Sequence, residues 1–333
     1  MCSRRRRLTS SNLHAVDGLR APCFIGPRSR PSAPAPARVL TTIMARLADR
    51  LPENAPGDFF VDSSCIDCAM CRTLAPRVFA RSDAIGLSVV GCQPSSEADA
   101  LRAKMALVSC PTSAIGTASK VPVRDAVGAL PDPILSDVLY CGYASESSYG
   151  AASYLVVRES GNVLVDSPRA ARPLMDGLEA LGGVRTMFLS HVDDVADHAL
   201  FARRFACERV IHAADARGPL LEVERKLHGN DPIVLAPDLL AIPVPGHTRG
   251  SAVLLYREQV LFTGDHLWGS ADGKRLEAGR SVCWHSWSEQ TRSMAKLLDF
   301  AFEWVLPGHG ARFHAPKERM RSELERLVAR MRG

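Results

Sequence analysis

Three cysteines at C-x2-C-x2-C spacing, Cys65, Cys68 and Cys71, followed much later by Cys110-Pro111, constrain this chain more than any other feature. Three thiolates so close in sequence converge from one tight loop. A distant fourth must be carried to them by the fold, the arrangement that grips an iron–sulfur cube at its corners. Zinc knuckles and disulfide pairs are the other uses of clustered cysteines. The stretches Ala75-Pro-Arg-Val-Phe79 and Leu107-Val-Ser109, which flank the motif, have no role in a zinc site. No second triplet occurs, so one cluster is expected, most simply 4Fe-4S, held by Cys65, Cys68, Cys71 and Cys110. Cys2, Cys23, Cys92, Cys141, Cys207 and Cys283 show no paired spacing, and free thiols beside a cluster argue for a reducing compartment. Cys92 reads as an unliganded surface thiol.

The run from Cys65 to Phe79, with Ser109-Cys110-Pro111-Thr-Ser-Ala-Ile115, closely resembles a bacterial-type ferredoxin of the single-cluster kind, over about residues 57–118. The resemblance implies a small α+β iron–sulfur domain and an electron-transfer partner.

A chain of 333 residues, 46% hydrophobic and 23% charged, can bury a substantial core and is long enough for two domains. No apolar run approaches the ~18–20 residues of a membrane-spanning helix, so no membrane partner is expected. The net charge of +5 is concentrated at one end: residues 1–43 hold eight Arg against Asp17, leaving the remainder at −2. A basic nucleic-acid-binding face is therefore not implied, and no nucleic-acid partner is expected. The Ser-, Pro- and Arg-rich leader, expected to be disordered, reads as a plastid or mitochondrial transit peptide. The alternative is a cytoplasmic protein that starts at Met44-Ala-Arg-Leu.

Residues 119–133, with Val121-Pro-Val-Arg and Leu130-Pro-Asp-Pro, read as an extended linker. From 134 to 331, short β-branched or apolar runs such as Ser153–Val157, Val163–Asp166, Thr186–Ser190, Arg209–His212, Leu240–Val244, Ala252–Tyr256 and Gln259–Thr263 alternate with helical stretches at 173–181, 198–207 and 288–302. The chain closes in a charged helix, and the pattern is that of a layered α/β or α+β domain.

Polar residues follow the ends of these strands. His191-Val-Asp193-Asp194-Val-Ala-Asp197-His198 comes first, then Gly246-His247-Thr-Arg-Gly-Ser251, Thr263-Gly-Asp265-His266 and Pro307-Gly-His309-Gly310. Asp166 ends another strand in Val163-Leu-Val-Asp-Ser-Pro168. In this order the motifs resemble the metallo-β-lactamase superfamily, whose fold is an αβ/βα sandwich with metal held at one edge of its sheets. The resemblance implies two divalent metals, zinc or iron/manganese. His191 and His247 would hold one, Asp197, His198 and His309 the other, and Asp265 would bridge them. Asp197 and Asp265 are the residues carried over as catalytic, and Asp166 as an orienter of ligands rather than a ligand.

The sequence departs from that family at one turn. The usual His-x-His-x-Asp-His has become His-x-Asp-Asp-x-x-Asp-His, without the second histidine and with two residues added. Asp193 is the expected replacement, in preference to Asp194. A carboxylate there hardens the site toward iron or manganese, and the flavodiiron proteins of the same superfamily carry one at that position. His212 reads as a strand-end residue and His228 and His314 as surface. His285 lies in an aromatic-flanked loop that can line a pocket, whereas Trp284 and Trp287 are expected to pack against the sheet.

The resemblance implies a metal-dependent hydrolase of a small-molecule ester or thioester. The alternative is an iron-dependent redox enzyme, an oxygenase or small-oxidant reductase, fed electrons by the ferredoxin-like domain.

Overall fold

The computed structural model describes residues 45–333; the leader, with Cys2, Cys23 and Met44, lies outside the described residues. No helix among those residues is long and apolar enough to cross a membrane.

The cysteine-bearing segment folds around the helix Glu97–Ser109, which opens at Ser96, whose hydroxyl accepts from the Asp99 amide. The short strands Phe59–Val61 and Ile115–Thr117 pair antiparallel, as do Phe79–Arg81 and Ser88–Val90. Between them the loop from Cys65 runs into the helix Met70–Leu74. Asp67 and Ala69 both adopt left-handed backbone, which coils the loop tightly enough to turn successive cysteines inward.

Residues 119–133 are not an extended linker. Arg124–Gly128 forms a short helix packed on Glu97–Ser109, and Asp132–Pro133 is already the edge strand of the next sheet. Lys104 pairs with Asp125, Arg102 grips Asp132 with both contacts at 2.8 Å, and Ala126 and Leu130 are buried in the core, so the segment is tied down by both charge and packing.

The rest is a two-sheet sandwich. One sheet of seven strands runs Arg225–Leu227, Glu208–His212, Thr186–Phe188, Val163–Val165, Tyr154–Val156, Val138–Tyr140 and Asp132–Pro133. The other, of six, runs Ile233–Ala236, Leu239–Pro243, Ala252–Tyr256, Val260–Gly264, Trp304–Pro307 and Phe313–His314. Both sheets are mixed, with parallel pairings at Val163–Val165/Thr186–Phe188 and at Val260–Gly264/Trp304–Pro307. Strand alternation divides the six-stranded sheet. Ala241, Leu254, Phe262 and Leu306 join the cluster of core residues that holds the seven-stranded sheet. Ile242, Val253, Leu261 and Val305 face the other way, onto Met294 of the helix Trp287–Lys296 and Leu324 and Leu327 of Lys317–Arg332. The seven-stranded sheet is covered in turn by Leu174 and Leu178 of Arg172–Ala180 and Phe201 of His198–Phe205. Burial on both faces is why Val163-Leu-Val165 reads as a continuous apolar run.

Candidate metal centre

Five strand-end loops converge at one edge of the sandwich. Imidazoles and carboxylates stand there where backbone hydrogen bonding stops and side chains can turn inward. His191, Asp193 and His247 offer ligand atoms within 4.8 Å of one another, as do His191, Asp194 and Asp265. Asp265 occupies the middle, with Oδ2 3.9 Å from His191 Nε2, 3.7 Å from His247 Nε2 and 3.9 Å from His309 Nε2. Asp193 Oδ2 lies 3.4 Å from His247 Nε2, and Asp194 Oδ1 lies 3.8 Å from His309 Nε2. The pocket thus has two lobes that share Asp265.

The supporting hydrogen bonds turn one ring nitrogen of each buried histidine toward the pocket. His247 Nδ1 donates to the Val282 carbonyl at 2.7 Å, leaving Nε2 with its lone pair toward the carboxylates. His191 Nδ1 meets Ser190 Oγ at 2.9 Å, and that hydroxyl donates to Asp166. Asp166 also accepts the Ser190 amide at 2.7 Å, so it orients His191 through Ser190 rather than reaching it directly.

The donor atoms fit metal ions. His191 Nε2, His247 Nε2, Asp194 Oδ2 and Asp265 Oδ1 are buried and have no hydrogen-bond partner, a costly arrangement unless a cation is shared among them. Burial, with Asp265 and Asp166 alongside, drives the Asp194 carboxyl well above the usual carboxylate range. Burial likewise pushes Asp166 up to about 7 and pulls the His191 imidazole down. Burial also opposes protonation of His247, but Asp193, Asp265 and the Val282 carbonyl outweigh it and raise its pKa. Gly308 is required by close approach, because a Cβ there would sit 2.6 Å from Asp194 Oδ2 and 3.0 Å from Asp265 Oδ1.

Asp197 and His198 are not brought to this cluster. Asp197 turns its carboxylate to the Ala170 amide at 2.8 Å, at the start of the helix His198–Phe205. His198 is buried with Nδ1 3.0 Å from Arg209 Nη1, beside the Arg209–Glu224 pair. The reason is the added length of the turn. The chain presents Asp193 and Asp194 in succession to the two lobes and has already entered the helix when it reaches Asp197. Asp194, disfavoured on sequence, takes the inward place, while Asp193 stands at the half-exposed mouth.

Asp215 escaped the sequence reading. It accepts from the Val192 amide at 3.1 Å, the Gly250 amide at 2.9 Å and the Thr248 hydroxyl, bracing the His191 and His247 turns together. Its position just past the strand Glu208–His212 was the available signal. Trp284 does not pack on a sheet; it is 69% exposed at the pocket mouth, its ring 6.2 Å from that of His247. Trp287 is the packed tryptophan, its Nε1 donating to the Met331 carbonyl. His212 sits buried at its strand end, and His314 stacks at the surface on Trp304. His266 is fully buried, and burial takes its pKa down to about 3.

The four cysteines form a second centre. Cys65, Cys68, Cys71 and Cys110 surround one small cavity lined by Val61, Ile66, Met70, Pro111 and Ile115. Amides point at the sulfurs, Asp67 N to Cys65 Sγ at 3.4 Å and Ala114 N to Cys110 Sγ at 3.3 Å. Burial pushes the Cys68 and Cys71 thiols up to about 12. As thiolates they need a compensating positive charge, which cluster iron provides, so the nest fits the group. Cys92 is an exposed thiol outside it.

A cavity of about 1280 Å³ opens over the carboxylate pocket. Its wall is drawn from both centres, with Cys68 of the nest facing it alongside Asp193, His247, Asp265 and His309.

Residues 61–117 match the 4Fe-4S single cluster domain of Ferredoxin I. Among curated proteins, a hydroxyacylglutathione hydrolase of Anaeromyxobacter dehalogenans is 35% identical over 170 residues, 48% of this chain and 62% of that protein. One of Fuscovulum blasticum is 32% identical over 130 residues, 38% of this chain and 51% of that protein. The chain thus spans less than two thirds of the length of either relative. Among solved structures, ETHE1 from Myxococcus xanthus superposes with a TM-score of 0.43 at 19% identity, covering 57% of this chain and 85% of that one. BJP-1, a subclass B3 metallo-β-lactamase of Bradyrhizobium japonicum, gives 0.42 at 18% identity, over 60% and 91%.

Proposed function

We propose that this chain, a single-cluster ferredoxin module joined to a metallo-β-lactamase-type domain, is a metal-dependent hydrolase acting on an acylated thiol. The observation that carries the reading is the set of buried donor atoms without hydrogen-bond partners, His191 Nε2, His247 Nε2, Asp194 Oδ2 and Asp265 Oδ1, converging at one strand-end edge. His191, Asp193 and His247 would hold one ion, Asp194 and His309 the other, with Asp265 shared. Bound divalent ions supply a Lewis acid and a hydroxide at neutral pH.

The chain's own residues do the rest. Val282 and Ser190 engage Nδ1 of His247 and His191, which turns each Nε2 toward the pocket. Asp215 holds the two histidine turns in register. Trp284 and Tyr149 offer aromatic surface at the mouth, and Arg217 and Arg249 offer cationic groups suited to the carboxylates of a peptide thiol. The relatives' name, hydroxyacylglutathione hydrolase, supports a thioester of that kind.

The test is hydrolysis of S-lactoylglutathione by protein purified without oxygen, with metals counted. Turnover together with metal in excess of the cluster iron is expected, and both should vanish in Asp265→Asn while the cluster's visible colour stays. Unchanged thioester turnover in Asp265→Asn would defeat the reading.

A further inference from the structure

The nest and the carboxylate pocket are joined by one short segment. Glu146–Ser148 makes a single 3-10 turn, after which Tyr149 and Gly150 both take left-handed backbone. Gly150 lies against the cluster loop so closely that a Cβ there would stand 2.5 Å from Cys68 Cβ and 2.9 Å from Cys68 Sγ. Its neighbour Tyr149 places its ring 6.3 Å, centroid to centroid, from that of His309. The segment is pinned to the His309 loop where the Ala152 amide donates to the Gly308 carbonyl at 2.7 Å. A cysteine of the nest and a histidine of the pocket are thus linked through two consecutive residues. Both centres also face the same cavity. The three carboxylates among the donors moreover make a hard anionic site that suits iron or manganese better than zinc.

We infer that the cluster and the carboxylate pocket exchange one electron through the line Cys68–Gly150–Tyr149–His309, with Gly150 and Tyr149 as positioning residues. This rests on the metal-site reading above and adds a redox activity to it. With a cluster held by Cys65, Cys68, Cys71 and Cys110 and iron held in the pocket, this line would pass one electron from the reduced cluster, oxidising it, to a ferric ion, reducing that to ferrous. No bond forms or breaks and no proton moves. The cluster is recharged by a low-potential one-electron donor of the reduced-flavin or small iron–sulfur class.

The experiment uses the full chain with its cluster intact and ferric iron loaded into the pocket. It is mixed anaerobically with a reduced flavin, and the ferric electron paramagnetic resonance signal is followed in time. Loss of that signal should slow at least tenfold in Cys71→Ser, which lacks an intact cluster, and in Gly150→Val, which forces the loop away. Tyr149→Ala should slow it as well, while Tyr149→Phe keeps the rate near that of the parent. Equal rates in the parent and Cys71→Ser would overturn the inference, as would Tyr149→Ala at the parental rate. A ferric signal that persists unaltered in Asp265→Asn would instead bring down the metal-site reading beneath it.

Discussion

The cysteine nest and the carboxylate pocket solve one problem, gathering ligands around positive charge, by opposite routes. In the nest, three of four donors come from one loop whose coil is set by left-handed Asp67 and Ala69, and the surrounding wall is apolar. In the pocket, the donors come from separate strand ends, and their positions depend on Ser190, Asp166, Asp215 and Val282 behind them. Local assembly makes a centre depend on its own ligands. Dispersed assembly makes it depend equally on the bracing around it.

That contrast can be broken where the effect is largest. Cys71→Ser should abolish the cluster's visible absorption outright while pocket metal, counted by atomic emission, stays in place. Loss of both together would mean that the centres do not form separately. Bracing comes next: Asp215→Ala should lower metal affinity or thioester turnover by about 10–100-fold, the usual cost of removing a residue that orients ligands. A variant within twofold of the parent would show the two turns to be held by other means.

Acidity sharpens the comparison further. Asp166, with its pKa pushed up to about 7, and Asp194, held well above the usual range, keep protons in the folded metal-free protein that the unfolded chain has already released. The Asp166 contribution is fully present below about pH 4 and is lost as pH rises through about 7, and Asp194 acts in the same direction. The melting temperature of metal-free protein should therefore fall between about pH 4 and 7, and divalent metal should restore more of it at the upper end. A pH-independent melting temperature would contradict the assignment of these carboxyls. The smallest effect is expected at Tyr154, whose hydroxyl donates to the Pro307 carbonyl at 2.7 Å just before the His309 loop. Tyr154→Phe should cost about 1 kcal/mol in denaturant unfolding and leave the nest's colour untouched.

The same contrast explains what could be read from sequence. The nest was legible because three of its four donors sit at fixed local spacing and the fourth is marked by the following proline. Most sandwich strands were legible because runs such as Val163-Leu-Val165 and Ala252–Tyr256 are buried on both faces. His191, His247, Asp265 and His309 were findable as polar residues past strand ends. Which aspartates of the 191–198 turn point inward was not, because that depends on where the chain enters its helix, and the family resemblance that assigned Asp197 and His198 to the metal does not carry over to the lengthened turn. The helix Arg124–Gly128 was hidden because its five residues are too few to show an apolar period, and its one buried side chain, Ala126, is held by packing on the neighbouring helix. Asp215 and Trp284 carry no motif, and their roles arise only from contacts between distant segments.

The geometry makes Asp194, and not the Asp197–His198 pair, the residue that completes the pocket. Metal content of Asp194→Asn, Asp197→Asn and His198→Asn, each purified without oxygen beside the parent, tests it most directly. Pocket metal should be lost in Asp194→Asn and kept at parental stoichiometry in the other two. Retention of metal in Asp194→Asn, with loss in Asp197→Asn or His198→Asn, would contradict it.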